Sequence, residues 1–281
     1  MLDAVGVRSV VATFNTHAGM DGYGRRFDLV EACAAIGADV LVLVEVFAPH
    51  SETSQPSAVA AALGYHVVEL PLSRAWRVRR PFPAPDDGSW EPQRPYPRAR
   101  RALRIGTYLA RHPPAATQFE EGTWGIAVLS REPIVSSEPL ELGKLTRDVT
   151  HRAALSVVLE SGLRVVATHM AHFSQGSPLH LMRLRPLLPD PGLPAVLAGD
   201  MNFWGPPLSL ALPGWRRAAR GRSWPARRPL HQLDHLFVTR AVRIEGAGGA
   251  VKAGNSDHLP IRAVLSYEPP AETASRPAHH A

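Results

Sequence analysis

The chain has 281 residues, 45% hydrophobic and 20% charged, with 31 Lys+Arg against 25 Asp+Glu and a formal net charge of +6. That composition belongs to a globular protein with enough chain for one large core. It excludes a disulfide scaffold, since Cys33 is the sole cysteine, and a polar low-complexity protein, which would carry far fewer apolar residues.

The elements follow in chain order. Residues 7–14 are an apolar, β-branched run ending at Asn15 and predict a buried strand; residues 15–24 carry three glycines and read as a loop. Residues 27–36 set Leu29, Val30, Cys33, Ala34 and Ile36 on a helical stripe closed by Gly37, a helix with a glycine C-cap. Residues 40–46 predict a second strand, 57–63 a short Ala-rich helix ended by Gly64, and 65–70 a third strand. Residues 71–117 break this rhythm with many prolines, and they read as an insertion with partly irregular backbone and a helix over 100–111. Strands resume at 125–129, 153–159 and 163–168, the last two joined by a Ser161-Gly162 turn. Ser177-Pro178 opens a helix to about residue 188. Residues 195–198, 233–238 and 261–265 complete the strands, and 268–281 lack periodicity and read as a disordered tail. Strands mixed with a few helices predict an α/β (α+β) fold of mixed sheets covered by helices, as a single domain over residues 1–267.

No run reaches the roughly 18 apolar residues of a membrane helix. Residues 1–15 lack the basic start, apolar segment and cleavage site of a signal peptide, so the expected location is cytoplasmic. A monomer is expected.

Charge is unevenly spread. Residues 71–117 hold ten arginines and net +7; residues 215–230 hold Arg216, Arg217, Arg220, Arg222, Arg227 and Arg228 without an acid; the remainder is net −7. Such stretches either contact phosphates or merely solubilise surface loops, and the sequence leaves both readings open. Trp76, Trp90, Trp215 and Trp224 lie in or beside them and are candidates to stack on bases.

The polar residues at strand ends carry the chemistry. Asn15 ends the first strand, Glu45 interrupts VLVLVEVF, His169 ends VVATH, Asp200 and Asn202 follow PAVLAG, Asp234 opens LDHLFV, and Asp257-His258 precede LPIRAVL. Buried carboxylates are costly unless paired or bound to a cation. An oxygen-rich set without a cysteine cluster suits Mg²⁺ or Mn²⁺. Each residue alone has a bland reading as an edge-strand carboxylate, a turn or a core histidine.

Together, in this order, they resemble the endonuclease/exonuclease/phosphatase (DNase I-like) superfamily: Asn15, Glu45, His169, GDMN (199–202), LDHLFV (233–238) and SDHLPI (256–261), with TWGIAVLSREPI (123–134) in support. The resemblance implies a four-layer α-β-β-α sandwich of two packed mixed sheets, with the site at one end. It implies a metal-dependent phosphoester hydrolase. Asn15, Glu45 and Asp257 would serve Mg²⁺ or Mn²⁺, and His169, Asp200, Asn202, Asp234 and His258 would be catalytic. Arg216, Arg222 and Arg227 are expected to meet substrate phosphates, and Arg131 and Arg152 to be structural. Two departures stand: Val44 occupies the position where many members have Gln, and no counterpart is identified for the second glutamate that orients the histidine in the namesake enzyme. A nuclease or phosphodiesterase on nucleic acid is the first reading. A phosphatase or phosphodiesterase on a small-molecule or lipid-headgroup phosphate is the second, and an inactive binding module the third. No site residue is missing, which disfavours the third.

Overall fold

The computed structural model describes residues 6–21, 25–78, 107–108, 119–148 and 150–270. The strands in chain order are β1 (Val7–Asn15), β2 (Val40–Pro49), β3 (His66–Val78), β4 (Thr107–Tyr108), β5 (Phe119–Ser130), β6 (Ile134–Gly143), β7 (Arg152–Leu159), β8 (Arg164–His169), β9 (Ala195–Asp200), β10 (Trp215–Arg217), β11 (Asp234–Thr239), β12 (Val242–Ala250) and β13 (Ile261–Tyr267). The helices are α1 (Leu29–Ile36), α2 (Gln55–Leu63), α3 (Ser177–Leu184) and α4 (Gly205–Ala211). One sheet has the order β12-β13-β1-β2-β5-β3-β4 and the other β10-β11-β9-β8-β7-β6. Both are mixed: β1 runs parallel to β2 and β8 parallel to β9, while their other pairings are antiparallel.

Central strands here must be apolar on both faces, because each sheet is covered twice. Val42, Val44, Ile126 and Val128 of the first sheet pack with Val157, Val165, Val196 and Leu236 of the second in the inter-sheet core. On the outer face of the first sheet, Leu29, Cys33, Ile36 and Val59 lie with Phe14, Leu41 and Leu43. On the outer face of the second, Leu181, Leu184, Leu208 and Leu212 lie with Val166, Leu197 and Phe237. These three apolar interfaces make the four-layer sandwich. The helices over the first sheet have orthodox ends. Asp28 and Ser54 accept from the amides of Glu31 (2.9 Å) and Ser57 (3.1 Å), and Gly37 and Gly64 close the helices at φ 59° and 71°.

Several expectations need correction. Residues 71–78 are not irregular: β3 continues through Pro71 to Val78 along β5, with a register shift between Pro71 and Ser73. A bulge tolerates the proline, so the apparent breaker does not end the strand. The helix read over 100–111 falls largely outside the described residues, and within it 107–108 pair with β3 as a strand. Most of the insertion and residues 271–281 of the tail are likewise outside them. β6, β10, β12 and α4 carry no clear local signal in the sequence. β6 is largely exposed, β12 has three glycines, and both are sheet edges, where alternation weakens. No helix among the described residues is long and apolar enough to cross a membrane.

Candidate active site

Strand register gathers the polar residues. β8 and β9 run parallel and end level, His169 opposite Asp200, while β11 runs antiparallel and begins with Asp234 opposite the same Asp200. Gly199 permits this. Its φ is 142°, and a Cβ there would lie 1.8 Å from the Thr168 carbonyl oxygen, so no other residue fits between the strands. In the other sheet Asn15, the last residue of β1, pairs with Val44. Glu45 then sits in a bulge between Val44 and Val46 with φ 55°. A bulge re-aims a side chain, which explains a carboxylate inside an apolar run. The Thr16 hydroxyl fixes it by donating to the Glu45 carbonyl at 2.9 Å.

The side chains meet in one network. Asn15 Nδ2 donates to Glu45 Oε1 at 3.2 Å and to Asp200 Oδ2 at 3.1 Å, so one amide bridges two carboxylates from different sheets. Asp200 Oδ1 accepts from the Asn202 amide at 2.8 Å, and Asn202 Nδ2 donates to the Met170 carbonyl at 3.0 Å. His258 Nδ1 pairs with Asp234 Oδ2 at 2.7 Å, leaving His258 Nε2 3.9 Å from Asp200 Oδ2. His169 Nε2 lies 3.7 Å from Glu45 Oε1 and 3.9 Å from Asp200 Oδ2. Both imidazoles therefore present Nε2 to the same oxygen of Asp200. Ser256, unread from sequence despite its place in SDH, donates to the Asn15 carbonyl at 2.7 Å and accepts from the His258 amide at 3.2 Å.

Burial sets the charges. Asp200 is pushed up to about 7 by desolvation and then by the Asp234 charge, outweighing the pull of His258. His258 is desolvated too, but the Asp234 carboxylate overrides this and holds it well above the usual histidine range. His169 is driven well below that range by burial and by the nearby Arg152. Its Nδ1 has no hydrogen-bond partner among the described residues. Instead its ring lies 5.0 Å from that of Trp124, which stacks at 5.0 Å under the Arg152 guanidinium. Arg152, held by Asp148 at 2.8 Å, donates to the His169 carbonyl at 3.3 Å. Val44, the residue before Glu45, is buried in the inter-sheet core.

The rim is less uniform. Asp257 Oδ2 accepts from Trp224 Nε1 at 3.4 Å, and Asp257 Oδ1 lies 3.6 Å from His17 Nδ1. The Ala226 amide donates to the Asp257 carbonyl and the Ser223 hydroxyl accepts from the Asp234 amide, which fastens the arginine-rich segment beside the site. Arg222 and Arg227 are exposed on it. Arg216 is elsewhere: it pairs with Val238, near the opposite end of β11 from Asp234, and donates to the Val242 carbonyl at 2.6 Å. Trp76 and Trp215 are buried in the protein, so they offer no stacking surface; Trp90 lies outside the described residues.

Could this donor set hold a cation? It offers Glu45, Asp200 and Asp234 carboxylates and an Asn15 amide, and Asp234 Oδ1 is buried with no hydrogen-bond partner among the described residues. Ligand atoms of Asp200, Asp234 and His258 lie within 4.8 Å of one another. His258 Nδ1 is already engaged by Asp234, so the oxygens are the better ligands. A surplus of buried carboxylate is the environment that a hard divalent cation relieves.

A model of the Endonuclease/Exonuclease/phosphatase family matches residues 12–258. The chain belongs to this family. The family consists of hydrolytic phosphoesterases that typically depend on a divalent metal. Solved members share the fold at low identity. An endonuclease/exonuclease/phosphatase from Beutenbergia cavernae is 22% identical, with TM-score 0.58 over 92% of this chain and 72% of that one. D. rerio TDP2 complexed with a single-strand DNA product is 15% identical, with TM-score 0.53 over 92% and 98%. ANGEL2, a 2′,3′-cyclic phosphatase, in complex with adenosine-2′,3′-vanadate is 13% identical, with TM-score 0.57 over 94% and 96%. No curated protein matches the sequence.

Proposed function

We propose that this family member is a divalent-metal-dependent phosphodiesterase that cleaves nucleic acid by in-line attack of water. The observation that carries the reading is the single network joining Asn15, Glu45, Asp200 and Asn202, faced by His169 and by the His258–Asp234 pair. Glu45 and Asn15 would hold Mg²⁺ or Mn²⁺, with Asp257 on the rim as a further acidic group near it; the cation would supply charge neutralisation at a phosphate oxygen. Asp200 aligns the attacking water and accepts its proton, a role suited to a carboxyl pushed up to about 7. Asn202 orients the phosphate. His258, kept cationic by Asp234, clamps a phosphate oxygen through Nε2. His169 stays neutral; with Nδ1 buried and unpartnered, its proton belongs on Nε2, where it donates to the phosphate from the other side. Arg222 and Arg227, on the segment fastened beside Asp257, favour a polyanionic substrate.

The test is hydrolysis with Mg²⁺ or Mn²⁺ of plasmid DNA, RNA, a bis-aryl phosphate diester and an aryl monoester, beside Glu45→Ala and Asp200→Ala. Cleavage of nucleic acid and diester, lost in both variants, is expected. Turnover of the monoester alone would transfer the protein to small-molecule phosphatases, and activity unchanged in the variants would overturn the site.

A further inference from the structure

Three aromatic rings stand next to the network and take no part in it. Phe203 and Trp204 directly follow Asn202, and Phe173 follows β8 in a short turn. Phe173 stacks on Phe203 at 5.4 Å and 20°, and Trp204 lies 4.9 Å from Phe173 and 5.1 Å from Phe203. Phe203 is buried, whereas Phe173 and Trp204 remain 49% and 47% exposed. Core packing therefore accounts for one ring of the three. The other two present a surface where exposure of aromatic area is unfavourable.

The cluster sits on the two loops that carry Met170 and Asn202, and those loops are hydrogen-bonded to each other. Asn202 donates to the Met170 carbonyl, and Ser177 Oγ donates to the Asn202 carbonyl at 3.3 Å, so the loops after β8 and β9 are tied together. His235 Nε2 lies 2.9 Å from the Phe203 carbonyl and fixes the second loop from beneath. Trp204 is two residues from Asn202, which places their Cα atoms within about 7.6 Å. Arg217 supplies a cation next to it. Its guanidinium lies against Gly205, where a Cβ would come within 1.7 Å of Nη1. No carboxylate pairs with Arg217 among the described residues, and its Nε is buried without a partner.

We propose that Phe173 and Trp204 form a platform on which a nucleobase of a single-stranded nucleic acid stacks, beside the phosphodiester engaged at Asp200 and Asn202. This rests on the phosphodiesterase reading above and names its substrate class. Every base has a π face, so stacking on aromatic rings holds a strand without reading its sequence, and an adjoining arginine matches the phosphate. A duplex keeps its bases stacked on one another and cannot use the platform.

The test compares wild type with Phe173→Ala/Trp204→Ala and with the conservative Trp204→Phe. Binding of a short oligonucleotide, and of the same sugar–phosphate chain without bases, is measured in chelator, where hydrolysis is off. The double variant is expected to bind the oligonucleotide about 10- to 100-fold more weakly. Its affinity for the base-free chain should be unchanged, and Trp204→Phe should retain most of the oligonucleotide affinity. The Trp204 contribution to fluorescence, defined by difference from Trp204→Phe, should be quenched by the oligonucleotide and not by the base-free chain. Equal affinity of wild type and double variant for the oligonucleotide overturns the platform, even if the enzyme cleaves DNA. Equal weakening toward both chains overturns it too, as does retention of lipid vesicles through these rings in place of oligonucleotide. Intact base-dependent binding without metal-dependent cleavage would leave the platform standing and remove the nuclease reading.

Discussion

Asp200→Asn should make the metal-free protein more stable at neutral pH while abolishing turnover. In the fold the Asp200 carboxyl is pushed from an ordinary 3.8 up to about 7, by burial and by Asp234. A carboxyl raised in this way keeps its proton after the unfolded chain has released its own, so stability falls as pH rises from about 4 to about 7 and stays reduced above. Between pH 5 and pH 8 the penalty grows by about two pH units' worth, or about 3 kcal/mol. Asparagine carries no charge and escapes that growth. It does introduce a pH-independent conflict, because its amide nitrogen would face Asn15 Nδ2, now 3.1 Å from Asp200 Oδ2. The informative quantity is therefore the change with pH in the difference between variant and wild type. Thermal melts in chelator should show the variant gaining about 5–10 °C on wild type between pH 5 and pH 8. A difference in Tm that stays constant across that range would refute the argument that carboxylate crowding strains this site.

Mn²⁺ or Mg²⁺ should raise the Tm of wild type at pH 7.5, and Glu45→Gln should lose most of that rise while keeping the metal-free Tm within a few degrees; calorimetric titration checks the affinity directly. Replacing Arg222, Arg227 and Arg228 with Ser should flatten the dependence of log Kd on log salt by about two for single-stranded DNA, with little change in kcat on a small diester. Gly199→Ala should fold poorly or not at all, because its Cβ would fall 1.8 Å from the Thr168 oxygen and force β8 from β9; soluble yield and circular dichroism report this. His235, buried with its Nε2 at the Phe203 carbonyl, is pushed down to about 4 by desolvation. Stability from keeping it neutral is present above about pH 6.5 and lost as pH falls towards 4, up to about 3 kcal/mol. His235→Gln should therefore narrow the gap to wild type at acid pH, as measured by urea denaturation from pH 4 to 8.

Much of the site was legible before any tertiary contact, because its residues interrupt local patterns. Glu45 breaks an apolar run, Asp200 and Asn202 follow a buried strand, and Asp257-His258 precede another. Each places a polar or charged side chain where strand interiors and ends avoid one. Other residues obey local rules and were invisible. Ser256 looks like a turn serine until it bridges β1 and His258. Trp204 lies two residues after GDMN with no arginine beside it, whereas Trp76 and Trp215, which do stand beside arginines, are buried. Arg216 sits in the basic segment but at the far end of β11, since a strand converts sequence distance from Asp234 into spatial distance.

The sequence by itself determined where most of the central strands lie along the chain, their apolar character and the set of polar residues at their ends, because hydrophobic periodicity and its interruptions are local. The tertiary structure alone decided which ends coincide. The parallel register of β8 on β9, the antiparallel start of β11 and the bulge at Glu45 bring Asp200 near Glu45 and two histidines. It also decided the charge states, since the shift of Asp200 to about 7 comes from burial and from Asp234, 34 residues away in the chain. Desolvation and Coulomb repulsion between carboxylates act through space, and no spacing of residues along the chain encodes them. The initial figure of +6 gave no hint of this, because what matters at the site is a handful of charges held out of water.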